Sequence, residues 1–108
     1  MKTYAMALDL IDDPEVIEEY KEHHESVWPE MLDALREAGW HNYSLFMTGE
    51  GLLFGYVETP NFERALAKMA ETDVNKRWQN FMAPYFEGIG GKHADESMVP
   101  LENVFYLE

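Results

Sequence analysis

The segment EEYKEHHESVWPEM, residues 18–31, carries Tyr20, His23, His24 and Trp28 where a helix built only for packing would carry Leu or Ile. Tyr20 and His24 are four apart, so on a helix they share one face, one turn apart, and Val16 and Val27 continue that stripe. A histidine among apolar neighbours and beside a phenol is placed for proton transfer near neutral pH. A rim histidine that only hydrogen-bonds would satisfy the same spacing. His23 points to a different side of the helix, within reach of Glu19, and reads as a surface residue.

Two further polar aromatics stand elsewhere in the chain. Tyr43 lies in a strand-like run, and Trp78 belongs to the stripe Val74, Trp78, Phe81, Tyr85. A flat ring with a polar tip suits a sugar pocket, because the ring packs on pyranose C–H groups while hydroxyls and carbonyls bond the OH groups. The same rings would serve equally as core. Metal chemistry has little support: His23 and His24 diverge on a helix, His41 and His93 come from unrelated segments, and there is no HxxxH or ExxH spacing. No GxSxG, P-loop or GxGxxG occurs, and GIGG follows a helical segment rather than opening one.

The elements that must hold these residues follow from periodicity. TYAMALDLI, residues 3–11, alternates with Tyr4, Met6, Leu8 and Leu10 on one face and reads as a strand. Asp12, Asp13 and Pro14 open a helix over about 14–27. Pro29 forces a bend or restart after Trp28, which is given a structural role, and the helix then continues to a stop at Gly39. WHNYSLFMT and GLLFGYVET flank Gly49-Glu50-Gly51 as a hairpin. Asn61 caps a helix to about Glu71, and Thr72 or Asp73 caps another through DVNKRWQNFMAPYF. Residues 88–97, GIGGKHADES, form a surface loop, and NVFYLE closes the chain as a final strand.

That order, βαββαβ, is the split pattern of ferredoxin-like α+β folds with an antiparallel sheet, and 1–108 make a single domain. Apolar residues on both faces of the hairpin, such as Leu45 and Phe46 or Leu53 and Phe54, predict that the second sheet face is also covered, most economically by a second copy of the chain. With 21 acidic against 8 basic side chains the formal charge is −13, which repels phosphate backbones and anionic membranes and argues against nucleic acid as a partner. Absence of cysteine removes disulfides and thiolate chemistry. There is no signal-peptide pattern and no apolar run of membrane-spanning length, so a cytoplasmic protein is the expectation.

EEYKEHHESVWPEM, HNYSLF, TDVNKRWQNFM and the terminal ENVFYL, taken together and in this order, resemble the signature segments of the L-rhamnose mutarotase family. The resemblance runs from the first strand to the last residues. It implies a homodimeric, ferredoxin-like dimeric α+β barrel that interconverts the α and β anomers of L-rhamnose without a cofactor. By the same resemblance His24 is the proton donor, Tyr20 and Tyr43 bind the sugar, and Trp78 is the first of two neighbouring sugar-contacting tryptophans. The chain departs from that pattern at Gln79, which stands where the second tryptophan would be and offers hydrogen bonds in place of stacking. Competing readings on the same fold are a haem- or quinone-linked monooxygenase and a non-catalytic sugar-binding protein.

Overall fold

The computed structural model describes residues 2–86 and 97–107. Four strands make one antiparallel sheet in the order β2-β3-β1-β4, with β1 Lys2–Asp9, β2 His41–Met47, β3 Leu52–Thr59 and β4 Val99–Leu101. Among the described residues four helices, α1 Pro14–Glu25, α2 Pro29–Glu37, α3 Phe62–Ala70 and α4 Asp73–Met82, complete the α+β architecture, and a short 3-10 turn spans Ala83–Tyr85. This is the ferredoxin-like arrangement expected from the order of the segments.

Helix boundaries sit where side chains can satisfy the first N–H groups. The Asp13 carboxylate accepts from the Glu15 amide at 2.8 Å, Asn61 from Arg64 at 3.0 Å, and Thr72 from Asn75 at 3.3 Å. Pro14 and Pro29 each occupy a first helical turn, where the missing amide costs nothing, so Pro29 ends one helix and begins the next rather than kinking a single long one. After α2, Gly39 takes φ +89, and Gly39 and Trp40 donate to the carbonyls of Arg36 and Leu35 at 3.1 and 3.0 Å. That closure turns the chain into β2 and seats the Trp40 indole, whose N–H donates to the Ala65 carbonyl.

The strand alternation sorts side chains as expected. Tyr4, Met6 and Leu8 of β1 stand opposite Val57, Gly55 and Leu53 of β3 and join the core with the helices. On β2, Leu45 and Met47 extend that face. Gly55 lies between Met6 and Leu45, and its missing side chain is what lets the Met6 thioether lie over the strand, because a Cβ there would collide with Met6 Sδ.

Two details differ from the expectation. The last strand is Val99–Leu101, pairing with Ala5–Ala7 of β1, and residues 102–107 carry no regular structure. Pro100 is tolerated because β4 is a sheet edge and needs hydrogen bonds on one side only. α4 stops at Met82, two residues before Pro84, and the chain tightens into the 3-10 turn. The loop expected over 88–97 lies, apart from Ser97, outside the described residues.

Candidate active site

Between the helices and the inner sheet face lies a cavity of about 400 Å³. Tyr20 and His24 reach it from α1, Tyr43 from β2, and Trp78 and Gln79 from α4, so all five residues singled out for the site converge on one space. Much of the remaining lining is aliphatic or Met, including Met6, Leu8, Leu45 and Met82. An apolar cleft with few convergent polar groups is the usual form of a small-molecule site.

The i,i+4 spacing on α1 brings Tyr20 and His24 to 4.2 Å between ring centroids. His24 Nδ1 lies 2.9 Å from the Tyr20 carbonyl oxygen. A carbonyl can only accept, so Nδ1 is the protonated nitrogen and the neutral ring presents Nε2 as its basic atom. Burial lowers the His24 pKa, the bond to the Tyr20 carbonyl opposes that, and the charge of His23 lowers it further. The Tyr20 phenol is buried, and burial together with nearby Tyr43 raises its pKa well beyond the ordinary tyrosine range, so it acts as a neutral hydrogen-bonding group.

Trp78 sets the next wall. Its ring meets His24 edge-on at 5.5 Å and Trp28 edge-on at 5.0 Å. Trp28 packs behind Trp78 rather than lining the cavity, in agreement with its structural assignment. Arg77 fastens the two helices from outside, with ion pairs to Glu30 at 3.1 Å and Asp73 at 3.0 Å and its guanidinium over the Trp28 ring. Trp78 is 6% exposed yet borders the cavity, so core and pocket were not alternatives for this residue.

Tyr43 shares the inner face with Leu45 and Met47 by strand alternation, and a bulge lies just before it. His41 pairs with Glu58 and Ser44 with Tyr56, so Asn42 and Tyr43 together oppose one residue of β3. Asn42 absorbs the extra residue with φ +47, a conformation asparagine tolerates better than other side chains, and its amide donates to the Glu58 carboxylate. Tyr43 packs on Trp40 at 4.8 Å between ring centroids.

His23 departs from its expected place. It is half-buried rather than on the surface, its Nε2 lies 3.0 Å from the Tyr85 hydroxyl, and its ring meets Phe81 at 4.7 Å. The 3-10 turn after α4 returns Tyr85 over α1, which no local spacing announces. A residue absent from the sequence-based set is Asn75, 3% exposed and lining the cavity. Its signal was available: Asn75, Trp78, Gln79 and Met82 follow i, i+3, i+4, i+7. Among the described residues no cluster of three or more His, Cys, Asp or Glu side chains could hold a metal.

Comparison with known proteins identifies the family. A protein-family model described as L-rhamnose mutarotase matches residues 3–107. A curated L-rhamnose mutarotase of Bacillus subtilis (strain 168) is 44% identical over 94 residues, 84% of this chain and 86% of that protein. Another, from Burkholderia cenocepacia (strain HI2424), is 36% identical over 110 residues and covers both chains completely. The crystal structure of an L-rhamnose mutarotase from Formosa agariphila superimposes with a TM-score of 0.79 at 28% identity, covering all of both chains.

Proposed function

The chain belongs to the L-rhamnose mutarotase family, a family of isomerases, and from that membership we propose that it interconverts the α and β anomers of L-rhamnose with His24 as the proton-transfer residue. The observation that carries the role of His24 is its Nδ1 bond to the Tyr20 carbonyl, which leaves Nε2 as the basic nitrogen of a ring bordering the cavity.

Ring opening removes the proton of the anomeric hydroxyl and delivers one to the ring oxygen as the C1–O5 bond breaks. The aldehyde carbon then rotates about C1–C2, and reversal of the two proton transfers closes the ring on the other face. His24, neutral at pH 7, takes the first proton at Nε2 and returns it as imidazolium. Tyr20, Tyr43, Trp78 and Gln79 hold the sugar: the buried phenol of Tyr20 donates to a sugar oxygen, and the Trp78 ring packs on C–H groups. The reaction is already slow but spontaneous in water, so a single general acid–base group worth on the order of 10²- to 10⁴-fold is a sufficient catalyst.

A homodimer belongs to the same reading. The sheet face away from the helices exposes Phe46, Val99 and Leu101, with Leu52 and Tyr56 partly exposed beside them, and a second copy would cover it. A cytoplasmic location is consistent with the absence of cysteine. No described helix is long and apolar enough to cross a membrane.

The test is saturation-transfer NMR between the two anomeric protons of L-rhamnose. Catalytic amounts of wild type should transfer saturation well above the buffer rate, and His24→Ala should lose about 10²-fold or more of that increment while keeping the fold. Equal rates in the two proteins would remove His24 from the mechanism.

A further inference from the structure

Residues 102–107, ENVFYL, leave the sheet after β4 and carry no regular structure, although their sequence alternates like a strand. Val104, Phe105, Tyr106 and Leu107 are each between 72% and 85% exposed. A single apolar residue on a surface needs no explanation, and a polar segment without structure would need none either. Four large apolar side chains in succession do.

A surface of matching character lies beside them. On the sheet face away from the helices, the strand register lines up Phe46, Phe54, Ala7 and Val99 as one row across all four strands. In the neighbouring row, Ala5, Tyr56 and Leu101 border a cleft of about 340 Å³ at the root of the segment, where Glu102 and Asn103 also line it. The pKa of the Tyr56 phenol is raised by burial, then by its bond to Glu58 and the charge of that carboxylate, and further by Tyr106. The segment therefore runs on the side of the molecule that a second copy would cover, while its own chain leaves its apolar side chains in the open.

We propose that residues 103–107 are an arm exchanged between two copies of this chain, with the Phe105 and Tyr106 rings of each lying on the other's row of Phe46, Phe54, Ala7 and Val99. This deepens the homodimer reading above and rests on it. Arm and row belong to the same chain, so a two-fold pairing satisfies both at once, each arm meeting the other's face. The four aromatic rings of two arms bury about 150–250 Å² each. The surface beneath them adds a comparable area, and together these reach the roughly 1,200–2,000 Å² of a stable interface. An anionic membrane would be repelled by the formal charge of −13 and offers no matching face. A second copy is repelled as well, and the arm supplies the apolar contact that offsets the repulsion.

The chain contains no cysteine, so a nitroxide can be attached to the arm alone through Leu107→Cys. Spin-labelled chain without isotope is equilibrated with isotope-labelled wild type, and broadening of the wild-type amide signals is read by NMR at a concentration where sedimentation shows dimers. Broadening should be strongest at Phe46, Phe54 and Val99 of the isotope-labelled copy, which only an arm from the other copy can produce. Dimers without that broadening would overturn the exchange and leave the homodimer reading standing, with the arm serving its own chain or another partner. Monomers at every concentration would overturn both. The double variant Phe105→Ser/Tyr106→Ser should raise the dimer dissociation constant at least about tenfold. Neither ring belongs to the core, so the variant keeps its fold. An unchanged dissociation constant would overturn the arm as a part of the interface.

Discussion

Burial is the largest influence on His24 and favours the neutral ring; the Tyr20 carbonyl opposes it and His23 adds to it, leaving the pKa below the ordinary value of 6.5. Two pH dependences follow. With His24 as the proposed proton-transfer residue, activity would need Nε2 unprotonated, so kcat/KM for anomer exchange should be flat across neutral pH and fall only on an acid limb whose midpoint lies below 6.5, and a midpoint above 6.5 would contradict the burial argument. Stability moves the same way: the unfolded chain binds the proton more readily than the folded one, so the contribution of His24 is complete above its unfolded pKa and is lost as pH falls towards the folded value. Urea unfolding of wild type and His24→Gln at pH 5 and pH 7 should show the smaller pH dependence in the variant. The proximity of Tyr20 and His24 was legible from their spacing of four. The ring nitrogen that bonds the backbone was not, because it depends on side-chain torsions that spacing leaves undetermined.

At the scale of elements, capping chemistry located the helices. Asp13, Asn61 and Thr72 cap as their types and positions predict, and Pro29 separates α1 from α2. What stayed hidden were features decided by partners distant in sequence. β4 forms at Val99–Leu101 because the free edge of β1 lies open there, although Pro100 is a poor strand residue and NVFYLE alternates better. The bulge in β2 likewise leaves no mark except an asparagine before a tyrosine, yet it sits directly beside Tyr43, which lines the cavity. Asn42→Val would place a β-branched residue at φ +47 and should destabilise the protein by about 1–2 kcal/mol while weakening L-rhamnose binding. Asn42→Gly accepts that backbone and should retain binding; titration calorimetry with both variants checks the contrast, and equal affinities would detach the bulge from the site.

The whole molecule is two-sided: its helical side encloses the cavity, and its outer sheet face shows Phe46 at 62% and Val99 at 59% exposure. If two copies press these faces together, Phe46→Glu should halve the mass seen by sedimentation. A wild type already monomeric at micromolar concentration would refute the dimer. Each chain carries a formal charge of −13, so added salt should tighten such a pairing until screening is complete. The helical side depends on an omission in its floor. Where Gly55 passes between Met6 and Leu45 there is no side chain, and the Met6 thioether uses the gap. A single methyl group at that position would act as a wedge, swinging the flexible thioether up into the room above; the sheet would keep its strands, and the chamber would refuse its guest with every polar group around it still in place.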